Sequence, residues 1–117
     1  GALAREFDLN PQVAMHLNRS YGDRAVEVAK IAASGYGDLL AVDHPYLEAE
    51  VLYAIRHECA EHAIDVLARR TVLAQVDRAA AQEASGRVID LMARESGWDE
   101  ERIDKEKELV EQRLAAL

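Results

Sequence analysis

The chain has 117 residues and a formal net charge of −8; half of its residues are hydrophobic, yet only 5% are aromatic. This length fits one domain with a modest core, and the alanine-rich composition favours packed helices, so we predict an all-α, bundle-like domain of five or six helices. The acidic charge argues against a nucleic-acid partner, because phosphate binding depends on clustered lysines and arginines.

Two helical patterns occupy the first third of the chain. Asn10 followed by Pro11 is typical of a helix cap and a first helical position, and predicts a helix over 11–20. Asp23 is predicted to cap a second helix, which is apolar on a broad face and ends at a pair of glycines.

A longer helical pattern begins at Pro45 and extends to Arg70. Its first apolar residues recur at helical spacing. A second apolar set, which starts near Glu61, fits a separate helix equally well, so the sequence leaves one helix and two helices both open.

Two further helices are predicted after Asp77. Asp77 caps the first, over 78–96, and Gly97 ends it; Asp99 caps the last helix. The last helix pairs opposite charges four residues apart and carries a thin apolar stripe, as expected of a solvated helix lying on a core. The residues predicted to share that core are Leu47, Val51, Ile55, Ile64, Leu67, Val88, Leu91 and Trp98.

The run HECAEH at 57–62 contains residue types that bind metals. His57 and His62 are five residues apart, which places them roughly 140° apart around an unbroken helix, whereas the zinc-protease pattern needs a spacing of four. Cys59 and His44 are further candidate ligands, but a structural zinc site needs four ligands and commonly shows paired cysteines. We therefore predict no metal site, and we expect Cys59 to face the core from the apolar side of its helix.

Motifs for cofactor binding and catalysis are missing from the sequence. The glycines stand in neither GxGxxG nor GxxxxGK order, and no serine stands in GxSxG. The many carboxylates lie in charge-alternating helices, which is typical of a solvated face. We predict no catalytic and no cofactor-binding residue in this chain.

Arg69 and Arg70 are the candidate binding residues. Asp65, four residues before Arg69, gives that arginine an intrahelical partner. Arg70 instead follows Val66 on an apolar stripe, so its side chain either snorkels at the rim of the core or contacts another surface.

Four segments resemble the C-terminal helical domain of the FAD-dependent glycerol-3-phosphate dehydrogenases and the related α-glycerophosphate oxidases. They are YGDRAVEVAKIA at 21–32, PYLEAEVLYAIRHE at 45–58, DVLARRT at 65–71 and RVIDLMARESGWDEERIDKE at 87–106. The resemblance covers nearly the whole chain in the same order. Members often carry a threonine near position 62, where it would cap a helix, whereas this chain has His62.

The resemblance implies a parent flavoenzyme whose N-terminal domain, absent here, holds FAD and oxidises glycerol 3-phosphate, with quinone or oxygen accepting the electrons. In that case residues 1–117 pack on the flavin domain through Arg69 and Arg70, and are inactive alone. The chain begins with Gly in helix-like sequence, which also leads us to expect a fragment.

Cellular placement follows from the same features. The single cysteine fits a reducing compartment, and no apolar run approaches the roughly 20 residues of a membrane span. We expect a cytoplasmic domain without membrane insertion, in a parent enzyme peripheral to the cytoplasmic membrane. The alternative is a free-standing acidic helical adaptor that binds a partner helix in an apolar groove.

Overall fold

The computed structural model describes residues 2–41, 44–70 and 77–116, except for the side chains of Ala2, Arg69 and Arg70. Within these ranges it contains no strand and six α-helices of five or more residues, which confirms the predicted all-α class. The helices are α1 (Ala2–Glu6), α2 (Pro11–Tyr21), α3 (Ala25–Ile31), α4 (Glu48–His57), α5 (Arg78–Ser96) and α6 (Glu100–Ala115). Between α4 and α5, Ala63–Asp65 continues as the π-helical turn Val66–Arg70; residues 63–70 are called the short helix below.

Local side-chain caps begin three of the helices. Each cap accepts a backbone N–H two or three residues further on, as predicted for Asn10, Asp77 and Asp99. The prediction for Asp23 is wrong. That residue lies in a 3₁₀ turn, Gly22–Arg24, from which the chain enters α3 without any side-chain cap.

The 45–70 stretch is broken into two helices. Helix α4 begins at Glu48 and ends at His57, and helical structure resumes at Ala63. Between them Cys59 has φ 56°, in the left-handed region that turns the chain out of a helix. Cys59 is exposed. The prediction that it faces the core is therefore wrong, because the apolar periodicity of α4 does not continue through the turn.

The helices bury two hydrophobic clusters. One lies around α4, α5, α6 and the short helix, and the other around α1, α2, α3 and the first turns of α4. Of the predicted core, Val51, Leu67, Val88 and Leu91 are buried in the first cluster, and Ile55, Ile64 and Trp98 pack against it partly buried. Leu47 lies in the second cluster, so the prediction of one shared core is wrong for that residue. Helix α4 contributes to both clusters and is the central element.

Two glycines, one inside α5 and one at its C-terminal cap, should respond oppositely to substitution by alanine. Gly97 ends α5 with φ 70°, where a side chain is strained, so Gly97→Ala should lower the free energy of unfolding by about 1–2 kcal/mol. Gly86 lies inside α5, and an added Cβ there would meet nothing within 4 Å. Gly86→Ala should raise the free energy of unfolding by about 0.5–1 kcal/mol. Urea unfolding measures both, and equal effects would contradict the assignment of Gly97 as the helix end.

Candidate inter-domain surface and the carboxylates that support it

Glu50 is a completely buried carboxylate at the start of α4. Its exposed fraction is 0%. Its Oε1 accepts a hydrogen bond from the Tyr21 hydroxyl at 2.9 Å and lies 2.8 Å from His16 Nε2. Its Oε2 accepts the backbone N–H of Leu47 at 2.7 Å, which leaves no oxygen of the carboxylate without a partner. Glu50 therefore closes the first turn of α4 and ties it to α2.

Aromatic and charged side chains extend this contact towards α5. The ring of Tyr46 meets the His16 ring edge-on at 4.8 Å and stacks on His44 at 6.2 Å. Burial raises the pKa of Tyr46, and the charge of Glu50 raises it further. His44 Nε2 lies 3.0 Å from Asp77 Oδ2, and this hydrogen bond, with a backbone N–H of α5, lowers the pKa of Asp77. The hydrogen bond from His44 to Asp77 and the packing of Tyr46 on His44 and His16 thus connect the start of α5 to the start of α4.

Glu106 is the second buried carboxylate, with an exposed fraction of 1%. Its Oε1 accepts the backbone N–H of Ala63 at 2.8 Å, and its Oε2 lies 2.7 Å from His62 Nδ1. Arg102 donates from Nε to the same Oε2 at 3.1 Å and from Nη2 to the Glu61 carbonyl at 2.7 Å. A side chain of α6 therefore caps the short helix.

The electrostatics of this contact favour the ionised carboxylate. Burial raises the pKa of Glu106, but the Ala63 N–H, the hydrogen bond and charge of His62 and the charge of Arg102 together outweigh burial, so the net pKa is lowered. The Arg102 guanidinium also lies over the Trp98 ring, 4.6 Å from its centre. The contact between α6 and the short helix thus also includes Trp98, which follows Gly97 at the end of α5.

The residues of the HECAEH run have separate environments. The His57 ring packs 4.8 Å from the Tyr53 ring, Cys59 is exposed and His62 is bound to Glu106. Among the described residues, no group of three or more His, Cys, Asp or Glu side chains has an arrangement that could hold a metal ion. The 140° separation of His57 and His62 assumed one unbroken helix, whereas α4 ends at His57 and helical structure resumes only at Ala63.

Arg69 and Arg70 lie at the end of the short helix. Their backbone belongs to the turn Val66–Arg70, whereas their side chains lie outside the described structure, as do residues 71–76. Their predicted contact with a flavin domain therefore stays a prediction. Glu106, whose carboxylate accepts the N–H of Ala63 at the start of the same short helix, was not predicted as a functional residue.

A groove of about 520 Å³ opens beside the turn between α1 and α2. Its apolar walls include Leu9, Val13, Pro45 and the exposed Leu39, and Asp8, Asn10 and His44 add polar groups to its lining.

None of the described helices has the length and hydropathy required to cross a membrane.

Comparison with known proteins identifies the family. The model for the C-terminal domain of alpha-glycerophosphate oxidase matches residues 1–103. The chain belongs to this family. This confirms the resemblance found in the sequence. No solved structure matches the chain.

Curated relatives are similar to most of this chain. The mitochondrial glycerol-3-phosphate dehydrogenase of Bos taurus is 43% identical over 112 residues, which cover 91% of this chain and 15% of that protein. Glycerol-3-phosphate dehydrogenase SDP6 of Arabidopsis thaliana, also mitochondrial, is 44% identical over 108 residues, with 88% and 17% covered. The probable mitochondrial enzyme of Dictyostelium discoideum is 41% identical, with 89% and 16% covered. The chain spans about a sixth of the length of these relatives.

Removal of the Glu50 carboxylate should be strongly destabilising. Glu50→Ala leaves the buried Leu47 N–H without its acceptor and removes the carboxylate that ties α4 to α2, and should lower the free energy of unfolding by about 3–5 kcal/mol. The control is Glu27→Ala, which removes an exposed carboxylate 3.9 Å from Lys30 Nζ and should change stability by about 0.5 kcal/mol or less. Chemical unfolding monitored by circular dichroism measures both. Equal losses would contradict the proposed importance of Glu50.

Glu106 should contribute to acid unfolding. Because its pKa in the folded chain is below the ordinary 4.5, its stabilising contribution is complete above that value and is lost as the pH falls through the folded pKa. Stability of Glu106→Gln should therefore fall less steeply between about pH 5 and pH 3 than that of the unmodified chain. The exposed Glu111→Gln should keep the unmodified slope. Urea unfolding across this pH range checks the expectation, which a parallel pair of curves for Glu106→Gln and the unmodified chain would contradict.

Proposed function

We propose that this chain is the C-terminal helical domain of an FAD-dependent glycerol-3-phosphate dehydrogenase. The parent enzyme would oxidise glycerol 3-phosphate to dihydroxyacetone phosphate, passing hydride to the flavin and electrons onward to quinone, with oxygen as the alternative acceptor. The observation that carries this proposal is the family match over residues 1–103, supported by the names of the relatives.

The role we propose for residues 1–117 is to pack on the flavin domain. The sequence offers no phosphate-binding loop, and the buried carboxylates Glu50 and Glu106, with His16 and His62, are engaged in joining helices. Such contacts fix helix positions and support a rigid body that presents one surface to a neighbouring domain. Catalysis and FAD binding would belong to the N-terminal part of the parent.

Arg69 and Arg70 are our candidates for the contact with that domain. A guanidinium at a domain interface can bind a carboxylate through two nitrogens, and hydrogen bonds to charged groups contribute about 1.5–3 kcal/mol. The competing explanation is that both arginines interact only with the carbonyls that end the short helix, which is worth roughly 0.3–1 kcal/mol. Loss of inter-domain hydrogen bonds would weaken docking in the parent enzyme, whereas loss of the interaction with the helix-end carbonyls would lower the stability of the isolated chain.

The cellular location also belongs to this proposal. The three relatives described above are named as mitochondrial proteins. For this chain we retain a cytoplasmic location, with the parent enzyme peripheral to the cytoplasmic membrane.

The function is tested first at the level of the gene and then of the parent enzyme. Coding sequence upstream of Gly1, in the same reading frame, should encode an FAD-binding domain. The purified product should be yellow and should reduce a quinone analogue when glycerol 3-phosphate is added. An upstream region without such a domain would overturn the proposal and favour the free-standing adaptor, for which the groove beside α1 and α2 is the candidate binding site.

Arg70→Ala should weaken domain docking in the parent enzyme. We expect lower glycerol 3-phosphate oxidation, lower FAD retention or faster cleavage by a protease, whereas the isolated 117-residue chain should keep its unfolding midpoint. The matched control is Arg19→Ala at an exposed position of α2, which should leave all of these measurements unchanged. If Arg70→Ala unfolds the isolated chain, or leaves the parent unaffected, Arg70 does not anchor the domain.

A further inference from the structure

The contact between Glu106 and the short helix joins two segments that are distant in sequence. The carboxylate lies on α6, 43 residues after the Ala63 N–H that it accepts and 44 residues after His62. The short helix has no cap from its own local sequence apart from Asp65, whose Oδ2 accepts the His62 N–H at 3.3 Å. The direction in which the short helix leaves the turn after α4 is therefore fixed at its first residue from α6, and further along by the burial of Val66 and Leu67 in the core.

Arg102 fixes the other side of the same turn. Its guanidinium bridges Glu106 and the carbonyl of Glu61, so the turn is held immediately before the short helix as well as at its first residue. Packing of Arg102 on Trp98 keeps the guanidinium in place. One carboxylate and one guanidinium of α6 thus hold residues 61–63.

The segment held in this way ends in Arg69 and Arg70. The short helix is eight residues long, so a change in direction at Ala63 would shift its far end, about 10 Å away at 1.5 Å per residue. A guanidinium that binds in a fixed geometry tolerates little such displacement. The backbone position of Arg69 and Arg70 therefore depends in part on the contact that Glu106 makes at the start of the short helix.

We infer that Glu106, held by Arg102, is a positioning residue that orients the short helix so that Arg69 and Arg70 reach the neighbouring domain. This inference rests on the proposed docking role of the two arginines. Glu106 makes no contact with the partner in this scheme. It acts by limiting the directions that residues 63–70 can take.

Hydrogen–deuterium exchange of the full 117-residue chain tests the local part. In Glu106→Gln the carboxylate charge is lost while the shape is kept, and amides of residues 61–70 should exchange roughly tenfold faster or more, relative to those of α2 in the same variant. The matched control is Glu50→Gln, an equally buried carboxylate that caps α4. It should speed exchange at the start of α4 and leave 61–70 unchanged relative to α5.

A second variant, Arg102→Lys, keeps the inference testable if Glu106→Gln does not fold. Arg102→Lys keeps the positive charge, but a single ammonium cannot reproduce the two-nitrogen bridge from Glu106 to the Glu61 carbonyl. It should also speed exchange in residues 61–70 selectively. A uniform increase over the whole chain, or no increase at 61–70 in a folded variant, would overturn the inference.

The parent enzyme tests whether the orientation serves docking. Arg102→Lys and Glu106→Gln should each lower glycerol 3-phosphate oxidation or FAD retention, and Glu106→Gln combined with Arg70→Ala should be no worse than Arg70→Ala alone, because both act on one contact. If Arg70→Ala impairs the parent but Glu106→Gln does not, the inference fails and the proposed docking stands. If Arg70→Ala has no effect either, the docking proposal fails with it. In that case, faster hydrogen–deuterium exchange confined to residues 61–70 in Glu106→Gln would show that the Glu106 contact stabilises the short helix without serving docking.

Discussion

The structure depends on carboxylates that are buried where helices begin. Removal of an ionised carboxylate from water costs several kcal/mol, so Glu50 and Glu106 are tolerated only because every oxygen has a partner. In both places one partner is the backbone N–H of a residue that begins a helix, and another is a histidine from a different segment. The positive end of the helix dipole adds to the attraction. Each carboxylate therefore joins a helix start to a second segment, and helix positions are set by these contacts as much as by the apolar clusters.

Local features of this fold were predictable from sequence, because cause and effect lie within a few residues. Asn10, Asp77, Asp99 and Gly97 act within one turn of their own helix ends, and all four were predicted. The spacing of Arg102 and Glu106 also predicted their ion pair. What it could not show is that Glu106 is buried, since the residues that cover and bind it come from a segment more than forty positions earlier. The carboxylates of this charge-alternating helix were therefore interpreted as a solvated face, when one of its glutamates is buried.

The helix start that follows the break after α4 has a similar origin. No glycine or proline stands between His57 and Ala63, and the apolar pattern before and after the gap has helical spacing. The end of α4 is closed locally, because the Ala60 N–H donates to the Ala54 carbonyl. The start of the short helix is held from α6 by Glu106 and Arg102, which bind residues 61–63. A threonine at position 62 would have been a local signal for a helix start. In this chain the acceptor for the Ala63 N–H comes from another helix, and the local signal is limited to Asp65, which accepts the His62 N–H. Cys59 was therefore wrongly assigned to a continuing helix.

These contacts bear on how the chain would dock on the neighbouring domain of the proposed parent enzyme. Docking of two domains requires side chains at the interface to lose conformational freedom, and this cost is smaller when the backbone that carries them is already fixed. The short helix is fixed at its first residue by a buried, charge-assisted contact, which is stronger than a neutral hydrogen bond and is less screened by salt than one at the surface. Flexibility at that point would be multiplied along the helix towards Arg70. A buried charge, costly in itself, is thus placed where rigidity would favour the proposed docking through Arg69 and Arg70.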